Sequence, residues 1–443
     1  MERRSRFVLM IVLAGVIGIL VGLLITFFHF SVDWIETHRG DLINSLWPWP
    51  ERSWIAYTLS STLMIVIAVY LVRHYAPEAG GSGIQEIEGV VGDKREMHPL
   101  QVIVVKFFGG ILSLGAGMVM GREGPSVQIG GALGQIVSRH FPLTHREINL
   151  LIAAGAGAGL ATTFNAPLAG VLFVFEEMRE EVRYTYTAIQ SVLTATITSI
   201  VTLRVFFGNE VAIPVGSLPM PAASEMWIFA LFGLFFGLLG YLFNRFLLRF
   251  TRSISGLRGC HYCLVILPIG IVIGLFYSFD PVSVGEGYNA IHLAFSQTLS
   301  VSSLLALFLL RFFLTMFSYG SGAPGGIFAP MLALGTLFGI AFGLMVDRLL
   351  PSLSLDPKLF ALVGMSALFA ATVLAPLTGI ILVAELTRDF SLILPMLTTA
   401  LFSTMTANAL GGRAIYTLLL EQKLKVEKFG RVRSGPKKRR KKH

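Results

Sequence analysis

Residues 106–134 read KFFGGILSLGAGMVMGREGPSVQIGGALG, and residues 311–339 read RFFLTMFSYGSGAPGGIFAPMLALGTLFG. Laid on each other at a shift of 205, Lys106-Phe107-Phe108 falls on Arg311-Phe312-Phe313, and Gly121, Pro125, Gly130 and Gly134 fall on Gly326, Pro330, Gly335 and Gly339 without a gap. The register continues on both sides. At a shift of 204, Gly81-Ser82-Gly83 meets Gly285-Glu286-Gly287; at 209, Ala166-Pro167-Leu168 and Gly170 meet Ala375-Pro376-Leu377 and Gly379, with Glu176 over Glu385. Near-constant shifts over so long a stretch mean two related halves, placed at 50–207 and 225–420 and joined by a polar, Pro-bearing linker at 208–224.

The surrounding composition says where those halves reside. Of 443 residues 54% are apolar, only 14% are charged and 46 are Gly. With a mean hydropathy of +0.71, the chain reads as an all-α, polytopic membrane protein rather than a soluble globule. The net charge of +9 resides mostly in residues 431–443, which carry eight Arg and Lys and no acid. A basic patch confined to a terminal segment fits a cytoplasmic end, and no basic groove for nucleic acid is indicated. Two cysteines imply no disulfide framework.

Arg3, Arg4 and Arg6 precede an apolar run from Phe7 to Phe30 whose one ionisable member is His29. The run exceeds a signal-peptide core, so residues 1–49 are read as a cytoplasmic N-terminus and a first membrane helix, and 421–443 as a basic cytoplasmic tail. Both ends then share one side and the number of full spans is even. Further apolar segments include Trp54–Val72, Met226–Phe243 and Leu359–Val383. Several others are short and interrupted by Gly or Pro, tolerated in hydrocarbon only where backbone is buried in protein or lines a watery cavity. Interruptions at corresponding points of two halves mark the substrate site of a transporter, built from both halves.

Three interruptions share one design. Gly80-Gly81-Ser82-Gly83, Gly121-Arg122-Glu123-Gly124-Pro125 and Gly325-Gly326-Ile327-Phe328-Ala329-Pro330 each place a glycine-loosened turn directly ahead of an apolar stretch. Each can aim a helix N-terminus inward, where free amides and the helix dipole bind an anion moderately enough to release it. The plainer alternative is that these glycines only allow close packing. Glu123 sits inside such a turn, where an ionised carboxylate is costly. It can occupy an anion site itself and vacate it on protonation, or it can form a static ion pair with Arg122 or Lys106. Glu176 and Glu177 end the apolar run Leu160–Phe175. Glu176 reads as a helix-end residue shared with Glu385, whereas Glu177, opposite Leu386, is as well explained by an inner proton-carrying role as by a helix end.

Other motifs carry less. The stripe Gly155-Ala156-Gly157-Ala158-Gly159 follows no strand and fits membrane helix packing rather than a dinucleotide loop. Cys260-His261-Tyr262-Cys263 has no second ligand pair nearby, so no metal is expected and a loop between helices is. Ser82 or Ser321 as the nucleophile of an intramembrane hydrolase lacks a His within a membrane segment, since His29, His74 and His98 lie near segment ends.

On these residues the sequence resembles the CLC family of chloride channels and chloride/proton exchangers, its bacterial exchangers in particular. The family's signature segments stand in order as Gly81-Ser82-Gly83-Ile84, Gly121-Arg122-Glu123-Gly124-Pro125 and Gly326-Ile327-Phe328-Ala329-Pro330, with Tyr416 matching its anion-coordinating tyrosine. The resemblance implies two inverted-topology repeats with many tilted, broken helices, and a central anion site formed by Ser82, Gly83, the amides of Ile327 and Phe328, and Tyr416. It implies Glu123 as gate and external proton carrier and Glu177 as internal proton carrier. The resulting expectation is a non-enzymatic, multi-pass transporter of a bacterial inner membrane that exchanges chloride for protons, forms a homodimer in the lipid bilayer and needs no cofactor or metal. A passive voltage- or pH-gated chloride channel is the alternative. Gln85 departs from the family, which usually has Pro there, and bears on anion affinity.

Overall fold

In the computed structural model the described residues are 2–209, 212–216, 218–257 and 259–434. Positions 210, 211 and 217 of the linker and 435–443 of the basic tail lie outside them. The described chain is helical, and its first half comprises α1 (Glu2–Leu46), α2 (Ser53–Tyr75), α3 (Ile84–Val91), α4 (Pro99–Gly115), α5 (Glu123–Arg139), α6 (His145–Phe164), α7 (Pro167–Glu177) and α8 (Tyr186–Phe207). The second half repeats the series as α9 (Met226–Ser255), α10 (Cys260–Phe279), α11 (Tyr288–Ser296), α12 (Val301–Gly320), α13 (Phe328–Leu349), α14 (Pro357–Val373), α15 (Pro376–Thr387) and α16 (Ile393–Ala409). A last helix, α17 (Ile415–Ser434), has no counterpart. Eight of these helices are long and apolar enough to cross a membrane, and α3, α7 and α11 are far too short to do so.

The halves are related by inversion. Gly121 and its repeat mate Gly326 exchange two backbone hydrogen bonds as an antiparallel pair, at 3.0 and 2.8 Å. A residue paired reciprocally with its own mate lies on a local two-fold axis. The same symmetry governs α7 and α15. Glu176, at the end of α7, accepts the amides of Leu377 and Thr378 at the start of α15, at 3.0 and 2.6 Å. Glu385 of α15 accepts those of Leu168 and Ala169 at the start of α7, at 3.1 and 2.8 Å. Each half thus caps the other's helix, and the two mates run antiparallel.

Backbone conformation follows the repeat as well. Eight left-handed residues come in mates: Gly81 and Gly285 both at φ 70°, Gly83 and Gly287, Gly117 and Gly322, and Asn165 with Leu374. Leu374, with Pro376 behind it, splits the apolar segment Leu359–Val383 into α14 and α15. Within each half the long helices approach at glycine. Gly130 of α5 faces Gly155 of α6 so closely that a Cβ on Gly155 would fall 2.3 Å from the Gly130 carbonyl, and their mates Gly335 and Gly364 repeat the contact. The small-residue stripe of α6 is therefore a packing surface. Cys260-His261-Tyr262-Cys263 differs from the expected loop: it forms the first turn of α10, started by Gly259 at φ 55°, with both thiols free and exposed.

Gly155→Val should force α5 and α6 apart, since backbone cannot yield as a side chain would. We expect a loss of about 3 kcal/mol and an aggregated rather than monodisperse profile on gel filtration in detergent. A sharp, unshifted peak would contradict the packing described.

Candidate functional site

The three glycine turns converge because their backbones are sewn together. The Gly81 amide donates to the Ala323 carbonyl at 3.2 Å and the Gly325 amide to the Gly81 carbonyl at 3.1 Å, beside the Gly121 and Gly326 pair. Two buried cations hold the outermost carbonyls. Lys106 Nζ donates to the carbonyls of Ala79 and Gly81 at 2.9 and 2.6 Å. Its mate Arg311 donates to those of Val282, Val284 and Gly285 at 2.8 to 3.0 Å. Ser113 bonds the Pro324 carbonyl and its mate Ser318 accepts the Val119 amide, again reciprocally. In a bilayer interior every such carbonyl and amide needs a partner. These bonds leave the first amides of α3, α5 and α13 aimed at one place.

There the anticipated residues come together. Gly83, the N-cap of α3 at φ 87°, lies so near Gln128 that a Cβ would meet its Oε1 at 2.2 Å, so only glycine fits. Ser82 packs against Gly124, its Oγ within 2.8 Å of where a Cβ would stand. Glu123 begins α5, is fully buried, and its Oε1 accepts the Phe328 amide at 2.6 Å. Ile327 is the N-cap of α13 and Phe328 its first residue. The Phe328 ring is wrapped by Phe369, Phe173, Phe164 and Tyr416, the last at 5.9 Å between centroids.

Glu123 pairs with neither Arg122 nor Lys106. Arg122 turns away to Asp33, Glu36 and Glu286, and Lys106 is spent on carbonyls. The carboxylate instead sits at a helix N-terminus, as an anion would. Near it, the hydroxyls of Ser82 and Tyr416 are fully buried. Neither has a hydrogen-bond partner, nor does Glu123 Oε2.

Glu177 stands apart from this cluster, at the end of α7. A small cavity there is shared with Glu88 and Thr417. Its Oε1 is buried and unpartnered. Thr417 donates to Glu88 Oε1 at 3.0 Å, which leaves Glu88 Oε2 without a partner as well. Tyr416, next to Thr417 in the chain, has its ring 5.9 Å from that of Phe328, whose amide Glu123 accepts.

Sequence reasoning missed Glu88, as it missed the carbonyl-holding use of Lys106 and Arg311. The pair of acids Glu86 and Glu88 in the short stretch after Gly83 was the available signal. Ser321 bonds the Ser318 carbonyl and the Ala323 amide. With Ser82 unpartnered, neither serine is bonded to a histidine base among the described residues.

Broken helices aimed at a common interior point in two inverted halves define a membrane transport protein. The family model described as voltage gated chloride channel matches residues 63–408, and the chain belongs to this CLC family. It is 42% identical over 434 residues to the H(+)/Cl(-) exchange transporter ClcA of Klebsiella pneumoniae (strain 342), covering 96% of this chain and 92% of that one. It is 43% identical to ClcA of Vibrio campbellii over 94% of this chain and 90% of the relative. Among solved structures, a slow cyanobacterial Cl-/H+ antiporter superimposes with a TM-score of 0.90 at 39% identity, covering 94% of this chain and 98% of that chain.

Burying a hydroxyl without a partner is costly, so removing it should not destabilise the fold. Ser82→Ala and Tyr416→Phe should unfold at the same temperature as the unaltered protein, or slightly above it, in halide-free detergent buffer, measured by intrinsic fluorescence. A marked drop in either would mean the hydroxyl is bonded within the protein.

Proposed function

We propose that the chain is a secondary active antiporter exchanging chloride for protons across the bacterial inner membrane. The observation that carries this reading is Glu123 bonded to the Phe328 amide at 2.6 Å, at the N-terminus of α13. A carboxylate there competes with an anion for the same amide; once protonated it gives up that claim. Proton and anion occupancy are then linked at one position. Ser82, Gly83, the amides of Ile327 and Phe328, and Tyr416 form the central anion site. Its two unpartnered hydroxyls supply donors without a full positive charge, which keeps affinity moderate. The relatives' description as proton/chloride exchangers supports chloride as the anion.

Glu177 is the inner proton carrier. Its place beside Thr417, the neighbour of Tyr416 in the chain, lets protons and anions share Glu123 and part on the inner side. That buried acid favours exchange over a passive voltage- or pH-gated channel, which has no use for it. The transporter works as a homodimer in the bilayer, each subunit with its own pathway, and both termini are cytoplasmic. Its units are the first helix within 1–49, repeats at 50–207 and 225–420 around the linker 208–224, and the basic tail 421–443. Because α1 packs on α4, α6 and α8 as α9 packs on α12, α14 and α16, α1 belongs functionally with the first repeat.

Glu123→Gln should leave chloride movement intact or faster in liposomes while abolishing proton movement, because the amide neither ionises nor carries a proton. Uphill proton uptake driven by a chloride gradient in that variant would overturn the proposal. Glu177→Gln should stop proton transport while chloride flux persists. Glu176→Gln should remain coupled, since that residue caps α15 and an amide oxygen can still accept there. Full coupling in Glu177→Gln with loss in Glu176→Gln would assign the inner relay to the other carboxylate.

A further inference from the structure

Cys260-His261-Tyr262-Cys263 forms the first turn of α10, so its two cysteines stand three residues apart on one side of a helix, both as exposed free thiols. Gly259, at φ 55°, turns the chain into that helix, and its carbonyl accepts the amides of Tyr262 and Cys263 at 3.1 and 3.3 Å. The turn lies on the face where α1 begins. Arg39, near the end of α1, reaches the Tyr57 carbonyl near the start of α2 at 2.9 Å, so α2 runs back, and Arg73 in its last turn lies 3.5 Å from the ring centre of Tyr262. With a cytoplasmic N-terminus, that is the cytoplasmic face.

Between the two exposed thiols stands a residue that is almost fully enclosed. Tyr262 is 8% exposed; its ring lies under the Arg73 guanidinium and its hydroxyl donates to the Ser321 carbonyl. Ser321 belongs to the turn ahead of α13: its Oγ accepts the Ala323 amide at 3.1 Å, and the Ala323 carbonyl accepts the Gly81 amide at 3.2 Å. Gly81 precedes Ser82. A cavity of about 350 Å³ opens at the same place, walled in part by Arg73, Gly80, Gly81, Tyr262, Tyr319 and Ser321. The cysteine turn is thus joined through Tyr262 to the glycine turns that gather the helix starts.

On a helix, side chains three residues apart have their Cβ atoms about 5–6 Å from each other, whereas a disulfide holds them at about 4 Å. Closing a bond between Cys260 and Cys263 has to tighten the turn and move Tyr262, whose ring and hydroxyl are both held. Such a bond is strained and easily reduced, so it stays open in a reducing cytoplasm and closes under oxidative load. We infer that Cys260 and Cys263 are a reversible dithiol–disulfide site, exchanged with a small disulfide of the glutathione class, whose closure slows anion passage through Tyr262. In the exchange one cysteine thiolate attacks a sulfur of glutathione disulfide and expels a glutathione thiolate, leaving a mixed disulfide. The other cysteine thiolate then attacks the protein sulfur of that bond and expels the second. The two cysteine thiols give up two electrons and two protons, and glutathione disulfide takes both as two thiols. For its effect on flux the inference rests on the antiporter reading; for the disulfide it rests on the helix turn alone.

In the test, full-length protein in detergent is treated with glutathione disulfide or with reduced glutathione, reconstituted in liposomes and assayed for chloride efflux. Mass spectrometry of the peptide carrying both cysteines should show the loss of two hydrogens after oxidation. Efflux should fall about fivefold with it and recover on reduction. Cys260→Ser and Cys263→Ser change exposed side chains and should keep the reduced rate under either treatment, even where the remaining thiol has gained glutathione. Tyr262→Phe should form the disulfide yet pass chloride at one rate in both redox states. A peptide that never loses two hydrogens, an oxidised protein that works at the reduced rate, or a Ser variant slowed as much as the unaltered protein overturns the inference. A Tyr262→Phe protein that still slows fivefold overturns the route through Tyr262. Reduced protein that passes no chloride overturns the antiporter reading and the effect on flux, while the mass measurement still decides the disulfide.

Discussion

Hydrocarbon offers no partner to a backbone amide or carbonyl, yet helices here begin and end in the middle of the protein. Everything else depends on how that conflict is met. Where α3, α5, α11 and α13 start, exposed carbonyls are taken by Lys106 and Arg311 and by reciprocal bonds between Gly121 and Gly326. What remains unbonded is a small set of donors pointing inward. In the proposed reading, anion affinity comes from donors that this bonding leaves free where the two halves meet.

The sequence carried much of this because backbone constraints leave readable marks. Glycine at Gly81, Gly83, Gly285 and Gly287 is demanded by positive φ, and Pro125, Pro167, Pro330 and Pro376 mark helix starts; both survive in register across the halves. Ser82, Glu123 and Phe328 were legible because they stand beside those marks. Tyr416 was not, except through family resemblance, since α17 has no mate and its tyrosine stands in no special turn. The partners of Arg122 were hidden for another reason: Asp33 and Glu286 are brought to it by folding alone, from far along the chain on either side. The first turn of α10 was misread as a loop because a CxxC spacing carries no helix signal and its start depends on Gly259.

The departures from symmetry are as informative as the symmetry. Glu177 has Leu386 as its mate, Ser82 has Glu286, and α17 stands alone. Mated residues such as Glu176 and Glu385, or Lys106 and Arg311, build the frame. In the proposed antiporter the unmated ones face the pathway, where the two sides of a membrane must be treated differently. Gln85 lies in the first turn of α3, nearly fully buried and with Oε1 unpartnered, where it leaves the helix start intact and adds a polar atom beside Gly81.

The exchanged caps between α7 and α15 bear on how the chain is made. The amides of Leu168 and Ala169 wait for Glu385, some 217 and 216 residues downstream. At ordinary synthesis rates that is roughly 10–40 s after they leave the ribosome. Through that interval the start of α7 sits in or near the bilayer with its amides unmet by their final partner. The first half is therefore unfinished when its own synthesis ends, and biogenesis has to shelter it until the second half arrives.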